Sequence, residues 1–250
     1  MLYEIGDGIS IVAGYPGLFL TKHDSLVIAD VHLGFESTIS ESGIYVPRRQ
    51  LAKTLETLDE MIKITKPARV IINGDLKHDF SRLLRQEREE IVKLIDFLRS
   101  KGVSEIIVVR GNHDNYVSLV LKDLGVNLVD KLIIGKIMIT HGHELFDPKK
   151  YNVKTIIIGH EHPSISLRDE LGIAYKFQCF LKGKLITNHE IVVLAHMSLY
   201  ASGNPVTLDR ESYLSPIVKK YGLIEYFKPY IVDKEVGVLE LPMLKDLVMM

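Results

Sequence analysis

Five short apolar segments in the first two thirds of the chain each end at a polar side chain of a type that binds metals. Four of them are predicted as buried strands, at Ser25–Ala29, Arg69–Asn73, Glu105–Arg110 and Thr155–Ile158. The other, Leu132–Thr140, is predicted to contain a hairpin at Gly135-Lys136 and a strand that ends at His141. The polar residues at or just after their ends are Asp30, Asp75, Asn112, His141 and His160. Because loops at the carboxyl edge of an α/β sheet converge on one point, the pattern predicts that these five side chains share a site.

Each of these residues also has an ordinary structural interpretation. An isolated Asp or Asn after a strand is usually a turn former or a helix cap, and an isolated His is usually a surface or core side chain. These interpretations do not explain why six of the ten histidines fall inside the motifs at the strand ends. The six are His32, His113, His141, His143, His160 and His162. The combination therefore favours a shared functional site.

The segments between the strands have the spacing of amphipathic helices. Helices are predicted at Arg48–Ile64 and Gln86–Ser100, with a shorter one at Leu119–Leu124. Short strands prevail after the last motif, with strands predicted at Ser164–Leu167, Ala174–Leu181 and Glu190–Ala195. The other elements predicted there are a turn at Lys182–Lys184, a loop at Ser202–Pro205 and a closing hairpin at Ile231–Leu241. We therefore expect one α/β (α+β) domain over residues 1–250, with its motifs within 30–162 and a strand-rich closing part at 163–250.

The composition is that of an ordinary globular protein. Of the 250 residues, 46% are hydrophobic and 25% are charged, and a formal net charge of -1 gives no overall attraction to nucleic acid or anionic membranes. No segment reaches the roughly 18 apolar residues of a membrane span, and the N-terminus lacks the features of a secretion signal. Because Cys179 is the single cysteine, we expect a cytoplasmic protein. The oligomeric state stays open, a homodimer included.

The residue types in the motifs select particular metal ions. Imidazole together with carboxylate suits Mn2+, Fe, Zn2+, Co2+ or Ni2+, whereas Ca2+ prefers oxygen ligands and structural Zn2+ sites usually contain cysteine. The motifs contain seven candidate ligands, which are Asp30, His32, Asp75, Asn112, His141, His160 and His162. Seven ligands suit two ions about 3.5–4 Å apart that share a carboxylate. We expect two divalent ions, Mn2+ foremost, and a bridging water that ionises near neutral pH to become the nucleophile.

The motifs also occur in the order of a known family. They are Asp30-Val31-His32, Gly74-Asp75, Gly111-Asn112-His113-Asp114, His141-Gly142-His143 and Gly159-His160-Glu161-His162. With this set the chain resembles the calcineurin-like metallophosphoesterase superfamily. The resemblance implies the metallo-dependent phosphatase fold, which is a four-layer α/β/β/α sandwich of two mixed sheets, and it implies a metal-dependent phosphoesterase activity.

The resemblance further implies a role for each motif residue. The first metal is assigned to Asp30, His32 and His162, the second to Asn112, His141 and His160, and Asp75 bridges the two. The catalytic residues implied are His113 and Asp114. His113 protonates the leaving-group oxygen, because an alkoxide leaves poorly without a proton, and Asp114 orients His113.

Finer features resemble the archaeal SbcD-related phosphoesterases and the similar ligase-associated bacterial proteins. These features are Gly74–Asp79, Asp30–Gly34 and the Gly43–Pro47 loop. This branch resemblance favours a phosphodiester of nucleotide or nucleic-acid type as the substrate. The candidate substrate contacts are His78, His143 and Arg48, whose ordinary interpretations are a turn residue, a polar loop residue and a solvated helix face.

Three other functions are compatible with the sequence. A phosphomonoesterase would act on a small phosphorylated substrate with the same metals. A non-catalytic scaffold of the same fold is disfavoured, because the ligand set and His113 are intact. Nuclease action on single strands would require aromatic stacking platforms, for which Tyr116, Tyr151 and Phe146 lie near the motifs.

Overall fold

Two β-sheets dominate the computed structural model, which describes residues 1–168 and 170–247. The first sheet has seven strands in chain order, β1 (Leu2–Gly6), β2 (Ile9–Val12), β3 (Leu18–Leu20), β4 (Ser25–Ile28), β5 (Arg69–Asn73), β6 (Glu105–Val109) and β7 (Asn127–Val129). Strands β1 to β4 are antiparallel neighbours, whereas β4 to β7 run parallel. The carboxyl ends of β4, β5 and β6 therefore lie at one edge, as the sequence predicts.

The second sheet contains the remaining strands, β8 (Lys131–Ile134), β9 (Ile137–Thr140), β10 (Thr155–Ile158), β11 (Pro163–Arg168), β12 (Ala174–Lys184), β13 (Glu190–Val193), β14 (Asn204–Pro205), β15 (Lys228–Asp233) and β16 (Gly237–Glu240). Its order is β14-β11-β12-β13-β10-β9-β8, and the β15–β16 hairpin adds to β12. Strands β9, β10 and β13 run parallel, and their outer neighbours run antiparallel. Both sheets are therefore mixed.

The two sheets pack face to face through an apolar layer in which Ile11 and Ile71 of the first sheet join Ile157 and Phe180 of the second. The helices of the described residues are α1 (Phe35–Glu41), α2 (Gln50–Thr65), α3 (Arg85–Ser100), α4 (Val117–Asp123), α5 (Pro216–Tyr221) and α6 (Leu244–Leu247). Helices α2, α3 and α4 cover the outer face of the first sheet, and α5 and α6 cover that of the second. This layering confirms the predicted α/β/β/α sandwich.

Buried carboxylates determine where the two long helices begin, close to their predicted starts. The Glu36 side chain accepts the N–H groups of Arg49 and Gln50 at the start of α2, both at 2.8 Å. The Glu87 side chain accepts the Leu84 N–H at 2.8 Å at the start of α3. These contacts satisfy N–H groups that have no partner within the helix. Each helix then buries an apolar stripe against the first sheet.

The predicted turn at Lys182–Lys184 is wrong, because these residues continue β12 and pair with β13. A Lys-Gly-Lys sequence is typical of a turn, but Gly183 lies in the strand because the Phe227 ring packs where a Cβ would be. The two predicted hairpins, β8–β9 and β15–β16, are confirmed. Strands β1 to β3 and helices α1 and α5 are not among the predicted elements. The short strand β14 lies within the predicted loop.

No helix among the described residues is long and apolar enough to cross a membrane. The expectation of a single domain over residues 1–250 stays a prediction. The last residues of the predicted closing part, 248–250, and residue 169 lie outside the described residues.

The layer between the sheets leads to a stability prediction. Ile11 is fully buried there, so Ile11→Ala should lower the free energy of unfolding by about 2–5 kcal/mol, through lost burial and the cavity left behind. Ile133 on β8 is half exposed, and Ile133→Ala should change stability by at most about 0.5 kcal/mol. Denaturant unfolding of both variants measures the difference. Equal losses would contradict this placement of the core.

Candidate metal centre

The ends of five parallel strands from both sheets carry the predicted metal ligands. Strands β4, β5 and β6 of the first sheet and β9 and β10 of the second supply them. Backbone contacts hold the loops together, because the His32 N–H donates to the Asp75 carbonyl at 2.8 Å and Ala29 forms an isolated bridge with His196 across the sheets. The structure thus brings all seven predicted ligands to one edge of the sandwich.

Five of these seven residues have left-handed backbone conformations. Their φ angles are 56° at Asp30, 51° at His32, 47° at Asp75, 68° at His160 and 46° at His162. Residues other than glycine adopt this region at a cost of order 1–3 kcal/mol each, and such strain concentrates at functional sites. The shared conformation turns each loop sharply at the strand end, so that its side chain points toward a common centre.

One group of candidate ligand atoms comes from Asp30, His32, Asp75 and His162. One atom from each of the four lies within 4.8 Å of the others. His162 Nε2 is 3.4 Å from Asp30 Oδ1 and 3.5 Å from His32 Nε2, and His32 Nε2 is 3.8 Å from Asp75 Oδ2. The geometry can therefore surround one cation with carboxylate oxygens and imidazole nitrogens.

A second group shares Asp75 with the first. It contains Asp75, His141 and His160, again with one atom from each within 4.8 Å of the others. His141 Nε2 lies 3.3 Å from Asp75 Oδ2 and 3.1 Å from Asn112 Oδ1. His141 Nδ1 donates to the Asn73 carbonyl at 3.1 Å, which leaves Nε2 to face the group. Asp75 thus occupies the place between the two groups.

Burial and neighbouring charges set the protonation of this cluster. Burial lowers the pKa of His32 to about 3 and that of His160 to about 4, so both imidazoles are neutral near pH 7 and offer a lone pair. Burial opposes the charge on Asp75, but the adjacent imidazoles, His141 foremost, lower the pKa of Asp75 below its ordinary value. Burial also opposes protonation of His141, but the Asp75 carboxylate raises the pKa of His141 to about 9.

This donor set fits a pair of divalent cations. The buried carboxylates of Asp30 and Asp75 need positive charge nearby. Against the opposing effect of burial, Asp75 raises the pKa of His141 to about 9 and Asp30 raises the pKa of His162. Divalent cations would supply more charge and would leave every imidazole free to donate a lone pair. The residues that would hold them are Asp30, His32, His162 and Asp75 on one side, and Asn112, His141, His160 and Asp75 on the other.

His113, the predicted proton donor, lies beside the shared carboxylate. Its Nδ1 donates to the His78 carbonyl at 2.5 Å, and its Nε2 lies 4.0 Å from Asp75 Oδ2. The side chain is 25% exposed, so it is accessible from the solvent. One ring nitrogen is therefore anchored, while the other is available to a reacting group at the cluster.

Asp114, predicted to orient His113, has backbone partners in the structure. Its carboxylate accepts the Leu76 N–H at 2.8 Å and the Gly111 N–H at 2.7 Å. Burial raises the pKa of Asp114 to about 6, and the Asp75 charge adds to that effect. Asp114 thus fixes the two turns that carry the predicted ligands Asp75 and Asn112, and the carbonyl of His78 anchors the ring of His113.

The three predicted substrate contacts occupy different places. His78 lies in the cluster of imidazoles, with its Nδ1 3.4 Å from His32 Nδ1 and its ring stacked on His113. His143 lies on the other side, with its ring 5.3 Å from the His141 ring. Arg48 lines a separate cleft near α3, so its contact with substrate would require a substrate that extends there. All three contacts stay predictions.

A cleft of about 440 Å³ opens beside the first group of ligands. Its lining residues are His32, Phe35, His78, His113, His162, Ser198, Tyr200, Ala201, Ser202, Gly203, Asn204 and Leu214. Among these described lining residues none is Lys or Arg, and none is Asp or Glu. Apart from its histidines, the described lining therefore consists of aromatic, aliphatic and small polar side chains that carry no charge.

Several residues of the site are not predicted from the sequence. Glu161, between two ligands, is almost fully buried and accepts the N–H groups of Leu214 at 2.8 Å and Ser215 at 2.5 Å. Glu161 therefore joins the segment around Leu214, which lines the cleft, to the loop that carries His160 and His162. His196 directly follows a predicted strand, and its ring lies 5.3 Å from the His162 ring. His196 therefore lies directly after a strand, which is the same sequence signal that identifies the predicted ligands.

The aromatic residues suggested from the sequence do not line the cleft. Phe146 and Tyr151 pack edge to face on each other against the core outside the second sheet. Tyr116 is exposed at the start of α4. Phe35 and Tyr200 line the cleft instead, and they come from chain segments 165 positions apart in numbering. The sequence gives no signal that these two residues meet.

The model of the family described as calcineurin-like phosphoesterase matches residues 25–227, which include every motif. The chain belongs to this family. The membership confirms the predicted superfamily and the predicted class of enzyme, a metal-dependent phosphoester hydrolase. The resemblance to the SbcD-related branch stays a prediction, as do the identity of the metal ions and the roles of the individual residues.

Solved structures share the fold at low sequence identity. Pseudomonas putida nuclease MPE is similar over 96% of this chain and 99% of that chain, with a TM-score of 0.65 and 19% identity. YfcE, a phosphoesterase from E. coli, is similar over 88% of this chain and 98% of that chain, with a TM-score of 0.43 and 16% identity. No curated protein sequence is significantly similar. The first of these similarities supports the assignment of the fold.

The shared position of Asp75 leads to a prediction about metal content. Asp75→Asn should lose at least one of two bound Mn2+ ions, because the amide lacks the charge that two cations share. Elemental analysis after loading and desalting measures the content. Asp130→Asn, a change of the same type at an exposed carboxylate, is the control and should bind as many ions as the wild type. Retention of both ions in Asp75→Asn would refute the bridging role.

Proposed function

We propose that the protein hydrolyses a phosphodiester of nucleotide or nucleic-acid type with two divalent cations, Mn2+ foremost. Fe, Zn2+, Co2+ and Ni2+ are compatible with the same ligands. When bound, the cations would polarise the phosphoryl group and activate the attacking water. Asp75 is proposed as the bridging ligand, with Asp30, His32 and His162 on one ion and Asn112, His141 and His160 on the other.

The lack of Lys and Arg in the described lining of the cleft is the observation that carries the choice of a diester. A phosphomonoester bears a charge of about -1.5 to -2 at pH 7, whereas a diester bears a single negative charge and two organic groups. Beyond the metal ligands, the described lining of the cleft offers no Lys or Arg to the additional charge of a monoester. It offers Phe35, Tyr200, Leu214 and small residues, which suit an organic substituent.

His113 is proposed to give the leaving oxygen its proton. The Nδ1–H bond to the His78 carbonyl holds the ring, and Nε2 points toward the place where the scissile bond would lie. Partial exposure of the side chain would allow a proton to return from the solvent after each turnover. His78 and His143 flank this place and are proposed to contact the phosphate.

Nucleic acid is the first substrate class to test. The fold neighbour from Pseudomonas putida is named a nuclease, which is a property of that protein and supports the choice of probe. Cytoplasmic location, expected from the single cysteine, stays a prediction, and so does the oligomeric state.

A comparison of two chromogenic esters tests the proposed choice of ester. With Mn2+ present, we expect kcat/KM for bis-p-nitrophenyl phosphate to exceed that for p-nitrophenyl phosphate, because the cleft accommodates a second organic group and its described lining has no Lys or Arg for the additional charge of a monoester. Both reactions release p-nitrophenolate, so one absorbance measurement serves both. A strong preference for the monoester would overturn the diesterase proposal and would favour the phosphomonoesterase.

The proton-donor role gives a second prediction. His113→Ala should lower kcat for a dinucleotide phosphodiester, whose alkoxide leaving group needs a proton, by roughly 10²–10⁴-fold while both metal ions remain bound, since His113 is outside the proposed ligand set. His23→Ala, which removes an imidazole next to the other end of β4, should leave the rate unchanged. An unchanged rate in His113→Ala with full metal content would show that another group supplies the proton.

A further inference from the structure

Five aromatic rings form a continuous row along one side of the candidate metal centre. In order they are Phe80, His113, His78, Phe35 and Tyr200, and neighbouring ring centroids are 5.6, 5.6, 4.8 and 4.4 Å apart. The two imidazoles in the middle also contact the ring of the ligand His32. Phe80 and Tyr200 are therefore the two ends of an aromatic row whose centre lies at the proposed reaction site.

Phe80 is held in an exposed position next to the proposed proton donor. Its side chain is 57% exposed, and its ring meets the His113 ring at an angle of 87°. The backbone around it is fixed, because Asn115 donates to the Phe80 carbonyl at 2.8 Å and the fully buried Lys77 donates to the carbonyls of Asp79 and Arg82. Hydrogen bonds therefore fix the turn that carries Phe80, and the ring is exposed to the solvent.

Ring stacking and hydrogen bonds also fix Tyr200, at the other end of the row. Its ring stacks on Phe35 with an angle of 12° between the planes, and its hydroxyl donates to the Pro47 carbonyl at 2.8 Å. The preceding residue, Leu199, donates its N–H to Gln50 Oε1 at 2.9 Å. Tyr200 also lines the cleft. A flat ligand can therefore stack on this ring without ordering the protein first.

A single exposed aromatic residue on a protein surface is common and needs no functional explanation. The aromatic row differs in three respects. Hydrogen bonds fix the chain at both ends, and the ends lie on opposite sides of the proposed proton donor and its neighbour. Four of the five rings line a cleft whose described lining contains no Lys, Arg, Asp or Glu. Every nucleobase has a flat face that stacks on such rings regardless of sequence. Stacking is accordingly the interaction that this surface offers to a substrate.

We propose that Phe80 and Tyr200 bind the two nucleobases that flank the cleaved phosphodiester, so that the substrate is a strand of unpaired nucleotides. Phe80 contacts His113, which protonates the leaving oxygen, so Phe80 takes the base of the leaving nucleoside. Tyr200 takes the base on the other side. This inference rests on the diesterase function proposed above. A duplex is a poorer substrate, because pairing and stacking within it cover the faces of its bases.

Short oligothymidylates with one cleavable phosphodiester and methylphosphonates at all other linkages test the inference in the presence of Mn2+. One substrate carries all its bases, one has an abasic residue on the leaving side of the cleavable bond, and one has it on the opposite side. For the wild type, each abasic residue should lower kcat/KM by roughly 5- to 150-fold, which is the range expected for one base stacked on an aromatic side chain.

Two substitutions separate stacking from a structural role. In Phe80→Leu, the substrate with the abasic residue on the leaving side should have the same kcat/KM as the substrate that carries all its bases. In Tyr200→Leu, the same should hold for the substrate with the abasic residue on the opposite side. A distorted site would instead lower kcat/KM for all three substrates by the same factor. Each abasic residue would then still cause its own loss of kcat/KM, which is called its penalty. Phe80→Tyr and Tyr200→Phe should restore the penalties, and Tyr226→Leu, at a half-exposed ring outside the cleft, should keep both.

The outcomes distinguish the two proposals. Cleavage of the oligonucleotide with both penalties unchanged in Phe80→Leu and Tyr200→Leu would overturn stacking and leave the diesterase function intact. Turnover of bis-p-nitrophenyl phosphate without cleavage of any oligonucleotide would overturn the inference in the same way. Failure to hydrolyse any diester would overturn the proposed function, and the inference with it.

Discussion

The carboxylate of Asp75, buried where the two sheets meet, is the centre on which the rest of the site depends. Its Oδ2 lies 3.3 Å from His141 Nε2, and its Oδ1 accepts the backbone N–H of His113 at 3.0 Å. The turns around it leave no room for larger residues, because a Cβ at Gly111 would overlap Asp75 and a Cβ at Gly74 would overlap the His141 ring. A buried carboxylate surrounded by imidazoles in this way is stable only with positive charge beside it, which is what a shared pair of cations provides.

The strained turns that carry the ligands are held by buried acceptors from outside the motifs. Glu87 accepts the N–H groups of His78 at 3.0 Å and Asp79 at 2.6 Å, and Glu90 accepts that of Gly34 at 2.8 Å. Burial raises the pKa of both glutamates, and the N–H bonds oppose that effect by favouring the ionised form. Helix α3, which carries both residues, thus covers the first sheet and also holds two of the site's loops in a conformation that they would not adopt alone.

The sequence predicts the fold class, the long helices, the central strands and the convergence of the ligands, because strand ends and apolar periodicity are local signals. The turn expected at Lys182–Lys184 fails for a non-local reason, since Phe227 packs over Gly183. Asp114 is similar: the motif identifies it, but its carboxylate also accepts the backbone N–H of Leu76 in another loop. The aromatic row joins four segments that are distant in the sequence, and no pattern within any one of them indicates the contact between Phe35 and Tyr200.

The central claim is that two cations share one carboxylate, and electron paramagnetic resonance of the protein loaded with Mn2+ tests it most directly. Two Mn2+ ions about 3.5–4 Å apart are magnetically coupled, so at full loading we expect the spectrum of an exchange-coupled pair. A fully loaded protein that shows only isolated Mn2+ would contradict the account, since Asp75 would then not bridge the two groups.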